Sequence, residues 1–381
     1  MPFGPFALQW RAPTPNPPSP STLPPGITRT YISTPSGPLE LLTALPSSNP
    51  TPSSSPPSPP PLFFAHGGFG SAAVWLSYMQ FFSSHGIPCY ALSYRGHGAS
   101  WYPSLLRMYF TTRGAMGQDL VAGIKAVEGL ETERRRAQEA VRVVLVAHSA
   151  GGALGQYVLG RGLVRVQGFC MCAAVPGFGS VSVYSFWSLS APIHFPYRLF
   201  HPRYILATTP QVHAAFFTPE TPTQLVRALE RILSPYESML WPMQTMFRFV
   251  TGGDVLASIT GWGLRKARKV RAGNGDGVGT PASVPDRLLV LAAEKDVLCR
   301  PDILLDAAKR YRAAFRELVR EGKVDGISSR DLRTESEREQ EEDGDGVRFK
   351  VVRGLGHHLQ NHEEWERGAK EILEWVETLK I

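Results

Sequence analysis

Cysteine is scarce in this chain. Its four thiols, Cys89, Cys170, Cys172 and Cys299, are scattered through 381 residues. At least three lie within or beside apolar segments, which excludes a disulfide-stapled scaffold and reads as reduced, buried thiols. Charge is sparse as well, at 19% of residues, below the quarter or so of an average soluble domain. Long hydrophobic runs are missing: none approaches the roughly 18–20 residues that a membrane-crossing helix needs. The N-terminus, MPFGPFALQWRAPTPNPP, has no basic start and no sustained apolar stretch, so it makes a poor secretory signal. The C-terminal LKI is no address tag, and a cytoplasmic location is the expectation.

What is present is apolar residues in blocks, 43% of the chain, which excludes a wholly disordered polymer. The length allows one large domain or two ordinary ones. A net charge of +7 raises the question of an anionic partner. The basic residues cluster at Arg134–Arg136 and Arg265–Arg271 with no zinc-finger or RNP-like pattern around them. They read as a solvated helix end and a loop, and no nucleic-acid partner is expected.

Proline, 33 residues in all, is bunched rather than spread. Residues 1–26 form a Pro-rich arm expected to be disordered, and 46–61 a Pro/Ser-rich insertion that cannot join a sheet because proline lacks the N–H donor. Two short strands, Thr28–Ser33 and Leu39–Ala44, precede that insertion. From Leu62 strands and helices alternate. Strands are expected at Leu62–Ala65, Ile87–Ser93, Val141–Ala147, Val166–Val175, Arg287–Ala293 and Val347–Val352. Helices are expected at Ala72–Ser84, Gly117–Leu130, Ala150–Gly160, Pro301–Val319 and His362–Leu379. This alternation predicts an α/β fold with a mostly parallel sheet flanked by helices. Core segments at 27–179 and 285–381 then enclose an insertion at 180–284, and a charged loop occupies 321–346. An insertion at the carboxyl edge of such a sheet is where lids and binding caps sit.

Chemistry concentrates in Val143–Gly152, VVLVAHSAGG. A buried strand runs into His148, Ser149, Ala150, Gly151 and Gly152, and a helix follows. That places Ser149 on a tight turn with helix N–H groups beside it, a G-x-S-x-G pattern in which Ala147 replaces the first glycine. A plain strand-to-helix turn with serine as the helix cap is the simpler alternative. A nucleophilic serine also needs a base, an orienting acid and an oxyanion site. LFFAHGGFGS at 62–71 offers glycines whose N–H groups can turn inward. RLLVLAAEKDVLCR presents Asp296 after a strand, and FKVVRGLGHHL presents His357 just past Gly356, with His358 next to it. The order Ser149, Asp296, His357 is the one this architecture requires.

With HGGFGS, YRGHGAS, AHSAGG, AEKDVLCRP and GLGHH in register, the chain resembles the α/β-hydrolase fold superfamily, in its single-domain serine esterase and lysophospholipase-like branch. The motifs cover Leu62–Val175 and Arg287–Leu379, about two thirds of the chain. The resemblance implies an α/β-hydrolase core with a helical cap inserted before the acid-bearing strand. It also implies Ser149 as nucleophile, Asp296 rather than Glu294 as acid, and His357 rather than His358 as base. Gly68 and Ala150 then supply the oxyanion N–H groups, while His66 and His97 take structural places.

No cofactor is implied, and no cluster has metal-ligand spacing. Cys170 and Cys172 form C-x-C in a strand, which reads as buried thiols rather than half a zinc site. The insertion is rich in aromatic and thioether side chains, among them Phe195, Tyr197, Phe200, Phe216, Met243, Met246 and Phe247, and is expected to wall an apolar pocket. His148, at the variable elbow position, is expected to pack or hydrogen-bond behind the serine. It joins Phe69, Phe186, Trp187, Phe217 and Trp241 as candidate substrate contacts. The expected partner is a small apolar ester or lipid-like molecule, or a lactone, cleaved through an acyl-enzyme. Thioesters and carbon–carbon bonds are alternative substrates for the same triad. A receptor with little turnover and a membrane-surface lipase are alternative roles. Oligomeric state is not readable from the sequence.

Overall fold

The computed structural model describes residues 21–47, 59–235, 237–263, 284–333 and 344–379. Most of the N-terminal arm (1–20), the greater part of the Pro/Ser-rich insertion (48–58), the basic cluster with the glycine-rich run after it, and the acidic stretch 334–343 lie outside them.

Eight strands form one sheet: β1 (Ile27–Ile32), β2 (Leu39–Ala44), β3 (Leu62–Ala65), β4 (Cys89–Leu92), β5 (Val144–His148), β6 (Gly168–Cys172), β7 (Leu288–Ala293) and β8 (Val347–Val352). Their order is β1-β2-β4-β3-β5-β6-β7-β8. β1 with β2 and β2 with β4 are antiparallel, and every later pair is parallel. This is the mostly parallel sheet that the strand–helix alternation predicts. From β3 to β7 every strand residue is buried, because a sheet covered on both faces needs continuous apolar strands rather than alternating ones.

Two helix groups cover the faces. Leu76–Ser84 packs against Glu366–Thr378 on one side. On the other, Arg113–Arg135 packs on Ala150–Gly160, which meets Gly252–Ala257 and through it Pro301–Arg320. Leu120, Ile124 and Val127 do form the buried stripe of the long helix. That helix runs further than its apolar spacing suggests, because the Thr112 hydroxyl caps its start by accepting from the Ala115 N–H, while Arg136, at φ 49, ends it. Two of the Arg134–Arg136 cluster are spent there. Arg134 and Arg135 both pair with the buried Glu131 carboxylate, which also accepts from the Tyr90 hydroxyl at 2.5 Å. β6 stops at Cys172, short of the expected Val175, because Ala173 takes a left-handed φ of 43. All four cysteines are free and buried, and burial pushes their thiols well up. No helix among the described residues is long and apolar enough to cross a membrane.

Between β6 and β7 the chain leaves the sheet and forms a string of short helices from Val181 to Ala257. The amphipathic stretch Leu225–Leu233, with a helix start in TPETPTQL before it, is readable in the sequence and forms the helix Thr223–Ile232 with Val226 and Leu229 buried; the shorter ones show no apolar period. Residues of this stretch from Val181 to Met246 gather at the carboxyl ends of the strands, where the candidate site is built, whereas Gly252–Ala257 stays on the helices that cover the sheet.

Candidate active site

β5 delivers the chain into a turn at Ser149, whose φ of 52 and ψ of −126 no ordinary helix cap would show. A non-glycine residue holds that conformation at a cost, and close packing on all sides enforces it. A Cβ on Gly151 would sit 2.2 Å from the His66 carbonyl oxygen, and one on Gly152 2.3 Å from the Ala174 Cβ. One on Gly67 would come within 2.8 Å of the Ser149 Cβ. Ala147, standing where the motif has glycine, is fully buried in the parallel ladder opposite Met171.

Asp296 follows β7 and His357 follows β8, so the loops at neighbouring strand ends carry both to the turn. His357 Nε2 lies 2.8 Å from Ser149 Oγ, and His357 Nδ1 lies 2.8 Å from Asp296 Oδ2. Because Nδ1 faces a carboxylate it carries the proton and donates, which leaves Nε2 to accept from the serine hydroxyl. Asp296 is fixed in turn by its Oδ1, which accepts from the Leu298 N–H at 2.8 Å and the Cys299 N–H at 3.0 Å. His148 is buried behind the serine and donates from Nε2 to the His357 carbonyl at 2.9 Å. Burial and then the neighbouring His357 hold its pKa well below the usual value, so the ring is neutral and its single N–H is spent on that bond.

His358 points elsewhere. Its Nδ1 accepts from the Asn361 amide at 3.1 Å, and burial, with His148 and His357 adding to it, drives its pKa well down. Glu294 is exposed and accepts from the Gly354 N–H at 2.8 Å, bracing the loop after β8. Asp296, Cys299 and His357 also bring ligand-type atoms within 4.8 Å of one another. With Nδ1 and Oδ2 already in mutual contact and the thiol kept protonated by burial, that trio has no gap for an ion between the His and the Asp.

Gly68 and Ala150 both border a cavity of about 470 Å³ that opens above Ser149. The loop carrying Gly68 is pinned by a residue from the insertion, Glu237. Its Oε2 accepts from the Phe69 N–H at 3.0 Å and from His97 Nε2 at 2.9 Å. Its Oε1 accepts from the Ser238 N–H at 2.7 Å and from the Trp241 indole N–H at 3.2 Å. His97 Nδ1 faces the Arg95 carbonyl at 2.8 Å. Two acceptors on one imidazole require two donors, so His97 is the imidazolium. Burial alone would lower the His97 pKa, and the Glu237 charge and hydrogen bond outweigh it and raise it. For Glu237, burial works upward and is outweighed by His97 and two backbone N–H groups, which bring it down to about 2. His66, by contrast, is held neutral at about 3 by burial and then by the His97 charge; it accepts from the Tyr94 N–H at 3.2 Å.

Of the expected substrate contacts, Phe69, Trp187 and Trp241 line the cavity. His148, Phe186 and Phe217 do not, for separate reasons. His148 is walled off behind Ser149. Phe186 is 41% exposed and lies edge-on against Trp187. The helix Thr209–Phe216 ends just before Phe217, whose extended backbone sends its ring onto His362, and it is Phe216 that stacks beside His357 and faces the cavity. Met243 and Met246 line it as the composition suggests, whereas Phe195, Tyr197, Phe200 and Phe247 lie elsewhere. Glu237 was not foreseen. The signal was a lone carboxylate inside SPYESMLWPM, an otherwise uncharged aromatic run.

Solved structures of similar fold include an esterase from Thermogutta terrifontis, 16% identical with a TM-score of 0.56 over 93% of this chain and 100% of that one. Carboxylesterase CesB from Bacillus subtilis is 18% identical, with a TM-score of 0.52 over 92% of this chain and 91% of its own. An esterase from Exiguobacterium antarcticum is 15% identical, with a TM-score of 0.55 over 92% of this chain and 100% of that one. At such identities the likeness is one of fold. No curated protein matches in sequence. The model of the "Alpha/beta hydrolase family" matches residues 62–369, from β3 into the last helix. The chain belongs to the alpha/beta hydrolase family.

Proposed function

We propose that the protein is a serine hydrolase that cleaves carboxylic esters with an apolar acyl group, using Ser149, His357 and Asp296. The observation that carries this reading is the unbroken hydrogen-bonded chain from Asp296 through His357 to Ser149, opening into one apolar cavity. In the reaction, His357 Nε2 takes the hydroxyl proton as Ser149 Oγ attacks the acyl carbonyl, and Asp296 stabilises the imidazolium that forms. The N–H groups of Gly68 and Ala150 receive the oxyanion, helped by the N-terminal end of the helix Ala150–Gly160. His357 then protonates the leaving alkoxide, and a water, deprotonated by the same nitrogen, releases the acid.

The segment 180–263 acts in this reading as the cap that supplies the acyl pocket. Among the described residues, Glu237 is the only charged side chain bordering the cavity, and its two oxygens are engaged by four protein donors. A charged acyl tail would find no counter-charge there, which favours neutral, apolar chains. The test is fluorophosphonate labelling read by intact mass, on the wild type and on Ser149→Ala, followed by a panel of esters of increasing acyl length. Labelling confined to the wild type is expected, together with turnover that rises with chain length until the cavity is full. Equal labelling of both proteins, or none of the wild type, would overturn the assignment.

A further inference from the structure

The insertion presents a broad apolar surface to solvent around the mouth of the cavity. Leu189 is 89% exposed and Phe247 77%, and Ile193, Tyr197, Leu199 and Phe200 are exposed as well. Val181 and Met243 join this surface to the site, since both line the cavity although they are 61% and 55% exposed. Leu106 and Phe110 extend it, because the Met239 N–H donates to the Tyr109 carbonyl and the Arg113 N–H to the Gln244 side chain. Leu199 and Phe200 take left-handed φ angles of 51 and 59, which turn two bulky side chains outward at a conformational cost. So many large apolar side chains exposed along one insertion are uncommon on a monomer's free surface and mark an interaction face.

Charge says what kind of partner fits. There is no Asp or Glu between Glu40 and Asp119, and none between Glu139 and Glu220. Within 238–253 there is none either. The segments that build the crown are therefore free of acids, while Arg107 and Arg248 are exposed at its rim. Apolar side chains flanked by exposed arginines, on segments without acids, match the boundary of an anionic bilayer, where the apolar groups enter the headgroup–acyl region and the arginines meet phosphate.

We propose that this crown seats the protein on an anionic phospholipid bilayer, with the cavity mouth facing the lipid. The inference deepens the ester-hydrolase reading by naming where the apolar ester lies, and it is tested by binding, which needs no turnover.

The experiment is sedimentation of the full chain with vesicles of phosphatidylcholine alone or mixed with phosphatidylglycerol. It uses the wild type, the triple variant Leu189→Ser/Ile193→Ser/Phe247→Ser, and Leu45→Ser as an exposed apolar control remote from the crown. The wild type and Leu45→Ser should bind the mixed vesicles. The triple variant should bind at least about tenfold more weakly, as expected when three side chains no longer enter the lipid. Each exposed arginine removed should weaken binding about fivefold on the mixed vesicles only. Hydrolysis of a dissolved short-chain ester should be unchanged in the triple variant, since none of the three residues lines the cavity. Equal vesicle binding by wild type and triple variant, or none by either, would overturn the proposal. So would equal binding to phosphatidylcholine alone, or a wild-type dimer that the triple substitution converts to monomer without any vesicle binding. Failure of ester turnover with vesicle binding intact would sink the hydrolase reading and leave the docking surface standing.

Discussion

Replacing Glu237 by Gln tests whether the site depends on a clamp supplied from outside the sheet. The carboxylate satisfies four donors, two on each oxygen. A glutamine keeps one carbonyl oxygen and sets its amide hydrogens against two of those donors. With the amide nitrogen toward Ser238 and Trp241, two buried N–H groups lose their acceptor; turned the other way, the Phe69 N–H loses its acceptor while His97 gives up its Nε2 proton and accepts from the amide. At about 1–3 kcal/mol for each group left unmet, the folded state should lose about 1–6 kcal/mol in urea titration. The kinetic effect depends on the Phe69 N–H, the anchor nearest Gly68. If the loop shifts, one oxyanion donor is displaced, and kcat should fall by up to about 10²–10³.

The pH dependence has a definite sign. Glu237, lowered to about 2 from 4.5, contributes stability that is present above about pH 4.5 and lost as pH falls toward 2. His97, raised above 6.5, contributes stability that is full below pH 6.5 and lost as pH rises through its folded value. The stability gap between wild type and variant should therefore be widest between about pH 4.5 and 6.5 and narrow on both sides. A Glu237→Gln protein with wild-type urea midpoint and wild-type kcat across that range would refute the clamp.

Asp296→Asn keeps the shape of the acid but lets an amide donate toward His357 Nδ1, forcing the proton to Nε2 and away from its role as acceptor. Turnover should fall about 10⁴-fold while the thermal midpoint changes little, and a loss below tenfold would remove Asp296 from the mechanism. Gly151→Ala places a Cβ 2.2 Å from a backbone oxygen. That carbonyl cannot move without shifting the His66–Phe69 loop, so the substitution should cost at least about 1–3 kcal/mol and depress kcat together with stability. An unchanged urea midpoint would show that the turn is looser than its packing implies.

How much of this was legible in the sequence depends on how far apart the interacting residues lie. The strands from β3 to β7 read directly, because a parallel sheet covered on both faces requires unbroken apolar runs. Ser149, Asp296 and His357 read for a related reason: each sits just past a strand, where the chain must turn, so their places in the sheet order bring them together. The clamp had no such signal. Glu237 meets His97 across 140 residues and Phe69 across 168, and nothing local to any of the three announces it. Apart from the amphipathic stretch that becomes Thr223–Ile232, the insertion was legible in composition alone, because its other helices are too short for an apolar period to show a face.

Composition could not say which of two adjacent phenylalanines would face the cavity. That was settled where the helix ends, between Phe216 and Phe217. Nor could it say that Phe200 and Phe247 would face solvent instead of substrate. Aromatic residues in a sequence read as interior or pocket, since burial is their ordinary fate. The acid-free stretches carry the complementary information, because an aromatic segment meant only for the interior has no reason to exclude carboxylates from its exposed positions. A wet surface tolerates acids at little cost, whereas a surface pressed against phosphates does not. The absence of Asp and Glu along the crown is thus explained by what it would face, and the exposure of its leucines and phenylalanines by the same partner.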